Sequence, residues 1–151
     1  AEMIVNLFTG ATWLTPKAER DWMFETPKGY INPAHYTRLK DGKTTFLTKD
    51  EHDVFGDGTV IIKAAPGHTP GHQVIALKLA KSGLILLSGD LYHYPEEVPM
   101  RTVAPAQGDE AQTLAARDAL QAYLKQVKGQ MWITHDLLGF QKLKKAPDFY
   151  E

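Results

Sequence analysis

Pro66-Gly67-His68-Thr69-Pro70-Gly71-His72 is the stretch on which the reading of this chain turns. Two prolines and two glycines fall within residues 66–71, so the segment must be a loop. Glycine lets the backbone turn tightly and proline fixes φ, so the loop is stiff enough to aim an imidazole at one point. A metal ligand needs that preorganisation. The same residues would also serve as a turn carrying two surface histidines, so the surroundings have to decide.

Downstream, Gln73 to Leu79 alternates like a strand, Lys81-Ser82-Gly83 turns the chain, and Leu84 to Leu87 returns as a buried strand. Ser88-Gly89-Asp90 ends it. A carboxylate at the end of a buried strand is partly desolvated and calls for a cation or hydrogen bonds; a loop aspartate capping nearby amides is the alternative. Leu91 to Gly108 reads as a long Pro-bearing loop. Asp109 and Gln112 form a capping box for a helix over about Glu110 to Lys128, stopped by Gly129. Its apolar face is Leu114, Leu120, Tyr123, Leu124 and Val127. Met131 to Thr134 is a short strand ending at His135, which alone would pass for a half-buried, hydrogen-bonded imidazole. Leu137 to Lys144 is a last helix. His72, Asp90 and His135 thus gather at three strand ends, where ligands commonly bind.

Upstream, Val60 to Ala65 is a strand that Gly56-Asp57-Gly58 joins to a strand at His52 to Phe55. Thr44 to Leu47 is another, and residues 29–43 are irregular, with a turn at Asn32-Pro33. Thr15-Pro16 opens a helix over Lys17 to Glu25, with Trp22 and Met23 on one side, and Thr26-Pro27 closes it. Ala11 to Leu14 is a short strand. His35 and His52 lie in polar surroundings and read as surface residues. The fold class is α/β, a mixed sheet with helices on one face, in one domain over residues 1–151. Ala1-Glu2 ahead of Met3 resembles a cloning scar before an initiator methionine.

Seventeen basic and eighteen acidic residues leave a net charge of −1. No basic field is present to hold a nucleic acid or an anionic membrane. The apolar runs are too short to span a bilayer. No secretory leader opens the chain, which leaves the cytoplasm as the default compartment. With no cysteine, any metal must sit on His, Asp or Glu.

Pro66 to His72, Ser88-Gly89-Asp90 and Trp132-Ile133-Thr134-His135-Asp136 occur in an order and spacing that resembles the C-terminal half of metallo-β-lactamase-fold hydrolases. The branch they look most like is that of the N-acyl-homoserine lactonases, neighbours of organophosphate-hydrolysing members. Ala11-Thr12-Trp13-Leu14, Lys17-Ala18-Glu19 and Asp90-Leu91-Tyr92-His93-Tyr94-Pro95-Glu96 look like that branch too. The resemblance implies that His72 binds a first metal, Asp90 bridges, and His135 binds a second. Tyr92 and His93 fall where that family places a substrate-contacting group, and His93 is also a candidate ligand. His68 matches no ligand and would sit behind them. The cofactor implied is zinc, with manganese, cobalt or iron also suited to these donors. The activity implied is hydrolysis of an ester-like small molecule (a lactone, aryl ester or phosphotriester) by a metal-activated water. The rival is a non-catalytic metal-binding or structural remnant.

The chain departs from that family in one respect. His-x-His-x-Asp-His occurs nowhere in it, so a family-type two-metal centre is not expected from one copy. A half-sandwich of this kind would also expose the inner face of its sheet, which makes a homodimer the expected remedy.

Overall fold

The computed structural model describes residues 7–8, 10–25, 32–103 and 108–151. The expected helix stop at Thr26-Pro27 and the features read at residues 1–5 lie outside them. The backbone divides into two compact units, Ala1–Thr48 and Lys49–Glu151.

The first unit holds β1 (Trp13–Thr15), α1 (Lys17–Glu25) and β2 (Thr44–Phe46), with single 3-10 turns at Pro33–His35 and Thr37–Leu39. β1 and β2 pair in parallel, Leu14 opposite Thr45. Phe24 stands edge-on to both Trp13 and Tyr36, at 6.4 and 5.4 Å between ring centres. That aromatic contact gives the unit its small core.

The second unit is built on a five-stranded sheet in the order β3 (Glu51–Asp53), β4 (Val60–Ala64), β5 (Gln73–Leu79), β6 (Gly83–Leu87), β7 (Gln130–Trp132). β3 to β6 are antiparallel neighbours, and β7 joins β6 in parallel. The sheet is therefore mixed, as expected. β3 stops at Asp53, short of the expected Phe55. The Asp53 carboxylate accepts the amides of Phe55, Gly56 and Gly58, at 3.2, 2.9 and 2.7 Å. That capture bends the chain out of the ladder before the β4 turn.

Between β6 and β7 come a 3-10 turn at Gly89–Leu91, the short helix α2 (Glu97–Met100) and the long helix α3 (Glu110–Val127). α4 (Leu137–Lys142) follows β7. α2 lies in the segment read as loop. Asp109 caps α3 as expected, accepting the Gln112 amide at 2.9 Å. The stop differs: Lys128 itself takes the left-handed conformation, φ 53°. A Cβ at Gly129 would lie 2.8 Å from the Leu84 side chain and 2.9 Å from that of Leu124, so both leucines would have to shift to admit one.

α3 covers one sheet face. Leu120 and Leu124 pack with Val74, Ala76, Leu86, Leu91 and Tyr92 in a buried core. Each such apolar side chain contributes roughly 1.5–3 kcal/mol when buried. The buried stripe of α3 runs Thr113, Arg117, Leu120, Leu124. Of the expected face, Val127 is exposed. The opposite face carries Ile62, Ile75 and Leu87 in register. His52, opposite Ile62, is half-buried rather than a surface residue, because its strand is paired. His35 is half-buried as well. Among the described residues no helix is long and apolar enough to cross a membrane.

Candidate metal centre

Everything in this centre lies within the second unit. The loop of residues 66–72 is pinned to the start of α3: the Asp109 amide donates to the Gly67 carbonyl at 2.8 Å. A Cβ at Gly67 would lie 2.4 Å from the Thr113 amide nitrogen, and φ there is +137°, so only glycine fits. His68 and His72 thereby leave a rigid base, as a ligand-bearing loop requires.

His72 Nδ1 lies 3.1 Å from the Ala65 carbonyl and its Nε2 accepts the Asp90 amide at 3.0 Å. These two contacts set the tautomer: the proton is on Nδ1 and the lone pair on Nε2. Burial foremost, with His68 nearby, pushes the His72 pKa down to about 4. His72 is therefore a neutral imidazole at ordinary pH, its lone pair turned toward Asp90 but occupied by a backbone N–H.

Asp90 sits in the turn after β6 and is the hub. One carboxylate oxygen is 3.1 Å from His135 Nε2 and the other 3.4 Å from His68 Nε2. His135, beyond β7, stacks face to face on His93 at 5.0 Å and 6°. His68 is 5.5 Å from His93 and 5.7 Å from His72 between ring centres. Burial is also the main reason the His93 pKa is lowered. Four imidazoles thus surround one carboxylate. Ligand atoms of Asp90, His93 and His135 all lie within 4.8 Å of one another, a group that could hold a metal ion.

The donor set fits a borderline cation such as zinc. Neutral imidazoles give up no proton to bind, and a cation would replace the proton now needed between His135 and Asp90. His68 Nδ1, buried without a hydrogen-bond partner among the described residues, adds an unsatisfied polar atom beside the cluster.

The expected residues are not used alike. Asp90, His93 and His135 converge. His72 lies behind Asp90, holding its backbone. Tyr92 is 2% exposed and belongs to the core. Its hydroxyl accepts from Gln121 at 3.4 Å and its ring lies under Arg117 at 4.3 Å. It has no surface to offer a substrate. The backbone at Tyr92 is extended, φ −133° and ψ 135°, so it and His93 point to opposite sides.

Arg117 and Glu97 carry no sequence signal that marks them as part of the site. Arg117 is a cation on the apolar stripe of α3 and Glu97 an acid four residues after His93, and both patterns pass for solvated surface. Gly89 reads from sequence only as part of a strand end, yet a Cβ there would lie 2.8 Å from His72 Nε2.

No family model matches this sequence. N-acyl homoserine lactonase AttM of Rhizobium radiobacter is 28% identical over 152 residues, 97% of this chain and 57% of that protein. A crystal structure of a B. thuringiensis AiiA variant with N-decanoyl-L-homoserine at its active site superimposes with a TM-score of 0.80 at 20% identity, covering 97% of this chain and 55% of the other. AidC, a dizinc quorum-quenching lactonase holding its product, gives 0.63 at 21%, covering 91% and 53%. The chain spans just over half the length of these proteins. Over that span its fold is that of the metallo-β-lactamase-fold lactonases.

Proposed function

We propose that this chain is a metal-dependent hydrolase of ester-like small molecules, with an N-acyl homoserine lactone as the leading substrate class. The observation that carries the reading is the convergence of Asp90, His93 and His135 ligand atoms within 4.8 Å on a shared carboxylate. The lactonase relatives supply the substrate class. Asp90, His93 and His135 would hold the ion, with zinc the leading candidate. His72 would be recruited on surrendering the Asp90 amide. A divalent cation there would supply Lewis acidity toward a carbonyl or phosphoryl oxygen.

The chain's own residues do the rest. His72 fixes the Asp90 backbone, and so the direction of its carboxylate. His93, its pKa lowered chiefly by burial, is held in its neutral form near pH 7 while stacked on His135. His68 Nε2 stands 3.4 Å from the second Asp90 oxygen and limits how far the carboxylate can turn.

Metal-stripped protein should fail to open a medium-chain acyl homoserine lactone, followed as acid release, and zinc should restore the reaction. Asp90→Asn should abolish that recovery. A second reading, a metal-binding protein without turnover, is favoured by His72, whose Nε2 is already taken by the Asp90 amide. Stoichiometric zinc without any lactone opening would establish it over the first.

A further inference from the structure

We propose that Arg117 and Glu97 are positioning residues that hold His93 in the candidate metal centre, an inference that rests on the metal reading above. Arg117 is a charged side chain on the buried stripe of α3 and is only 3% exposed. Its guanidinium is spent in three directions. Nε donates to the Leu91 carbonyl at 2.8 Å, Nη1 to the Thr102 carbonyl at 2.6 Å, and Nη2 to Glu97 Oε2 at 2.7 Å. The same Glu97 oxygen accepts the His93 backbone amide at 3.0 Å. The segment carrying His93 is therefore tied at its start, its middle and its end to one side chain of a rigid helix.

A buried ion pair is a poor way to gain stability, because apolar residues of the same size do as well. What this one supplies is geometry. The planar fork of arginine reaches three acceptors at fixed angles, which lysine cannot. Without it the segment of residues 91–102 would keep the apolar contacts of Leu91, Tyr92 and Val98 and the exposed Arg101–Asp118 pair, but would lose the anchor of the carboxylate that accepts the His93 amide. Asp90 and His135 are fixed by the ends of β6 and β7; His93 has no strand behind it, and the Glu97 carboxylate takes that place.

Cobalt(II) titration of the apo-protein tests this, using Glu97→Ala, Glu97→Gln and Arg117→Lys, with circular dichroism to confirm folding. Glu97→Ala should weaken cobalt binding about 10–100-fold, the usual worth of a partner behind a ligand, and alter the visible cobalt band. Glu97→Gln keeps an acceptor for the His93 amide and should recover most of the affinity. Should Glu97→Ala fail to fold, Arg117→Lys decides, with about a tenfold loss expected. Folded variants with lowered thermal midpoints but wild-type cobalt affinity and spectrum would overturn the positioning role while leaving the metal reading intact. A wild-type chain that binds no cobalt would instead overturn the metal reading, and this inference with it.

Discussion

The backbone amide of Asp90 donates to His72 Nε2 at 3.0 Å, so the hub carboxylate and the buried imidazole are locked through one hydrogen bond. Protonating His72 destroys that acceptor. With its folded pKa lowered to about 4 from an ordinary 6.5, chiefly by burial, the unfolded chain takes up the proton first as pH falls. The stability owed to neutral His72 is present in full above pH 6.5 and is lost progressively down to about pH 4. The loss amounts to roughly 3 kcal/mol. Urea unfolding of the metal-free protein at pH 7 and pH 4.5 should show the drop. In His72→Gln the part of the drop that belongs to this residue should vanish; an unchanged pH slope would refute the assignment.

Gly89 carries a second expectation. A methyl there would meet His72 Nε2 at 2.8 Å, at a φ of +51°. Gly83 has φ +75° with nothing within 4 Å of an added methyl, so Gly83→Ala carries the backbone penalty alone, about 1–2 kcal/mol. Gly89→Ala should cost more than Gly83→Ala and also weaken metal binding. Equal costs, with metal affinity untouched, would mean that His72 moves aside freely and does not organise Asp90.

The parts of this molecule that are legible in its sequence are those governed by short-range rules. The Gly56-Asp57-Gly58 turn marks β4, alternation marks β5, the Asp109 cap marks α3, and the Pro/Gly density marks the loop of residues 66–72. The site is legible as far as ligand-type residues at strand ends. Tyr92 is not, because a loop residue after a strand can face either way, and only packing against Leu120 and Leu124 decides. Arg117 and Glu97 are invisible because a pairing across 20 residues leaves no local pattern. The Lys128 stop escapes because a left-handed lysine is uncommon, and the glycine beside it has a packing reason that only the Leu84 contact reveals.

Direct ligand assignment is tested by metal content. If the ion sits on Asp90, His93 and His135, then His93→Ala and His135→Ala should each lower zinc affinity by more than the roughly 10–100-fold that an outer partner is worth. His72→Ala, which removes the support of Asp90, should fall within that range. The reverse order, with His72 dominant and His93 without effect, would move the site back to the His72 side of Asp90 and make His93 an ordinary loop histidine. Inductively coupled plasma analysis after dialysis against a buffered zinc pool reads the order directly.

The last prediction concerns the sheet face turned away from α3. Ile75, on the central strand β5, is 38% exposed there, between Ile62 on one side and Leu87 on the other. A central strand position is ordinarily the driest in a sheet. α3 occupies the opposite face and has none of its length left for this one. At the β7 edge, Tyr150 covers Trp132 edge-on at 4.8 Å between ring centres, and Ile62 and Ile85 on this face are buried, but Ile75 keeps its exposure. Ile75 and the partly exposed Leu87 contributed by each of two copies, worth up to roughly 1.5–3 kcal/mol apiece, fall within the range of an association cost of about 4–15 kcal/mol. We therefore expect a two-fold homodimer with Ile75 at its interface, running at twice the 16.9 kDa chain mass in sedimentation. Ile75→Lys should convert it to a soluble, folded monomer. A wild-type monomer persisting at tens of micromolar would sink the dimer. A dimer indifferent to Ile75→Lys would place its interface elsewhere and leave this face to another occupant.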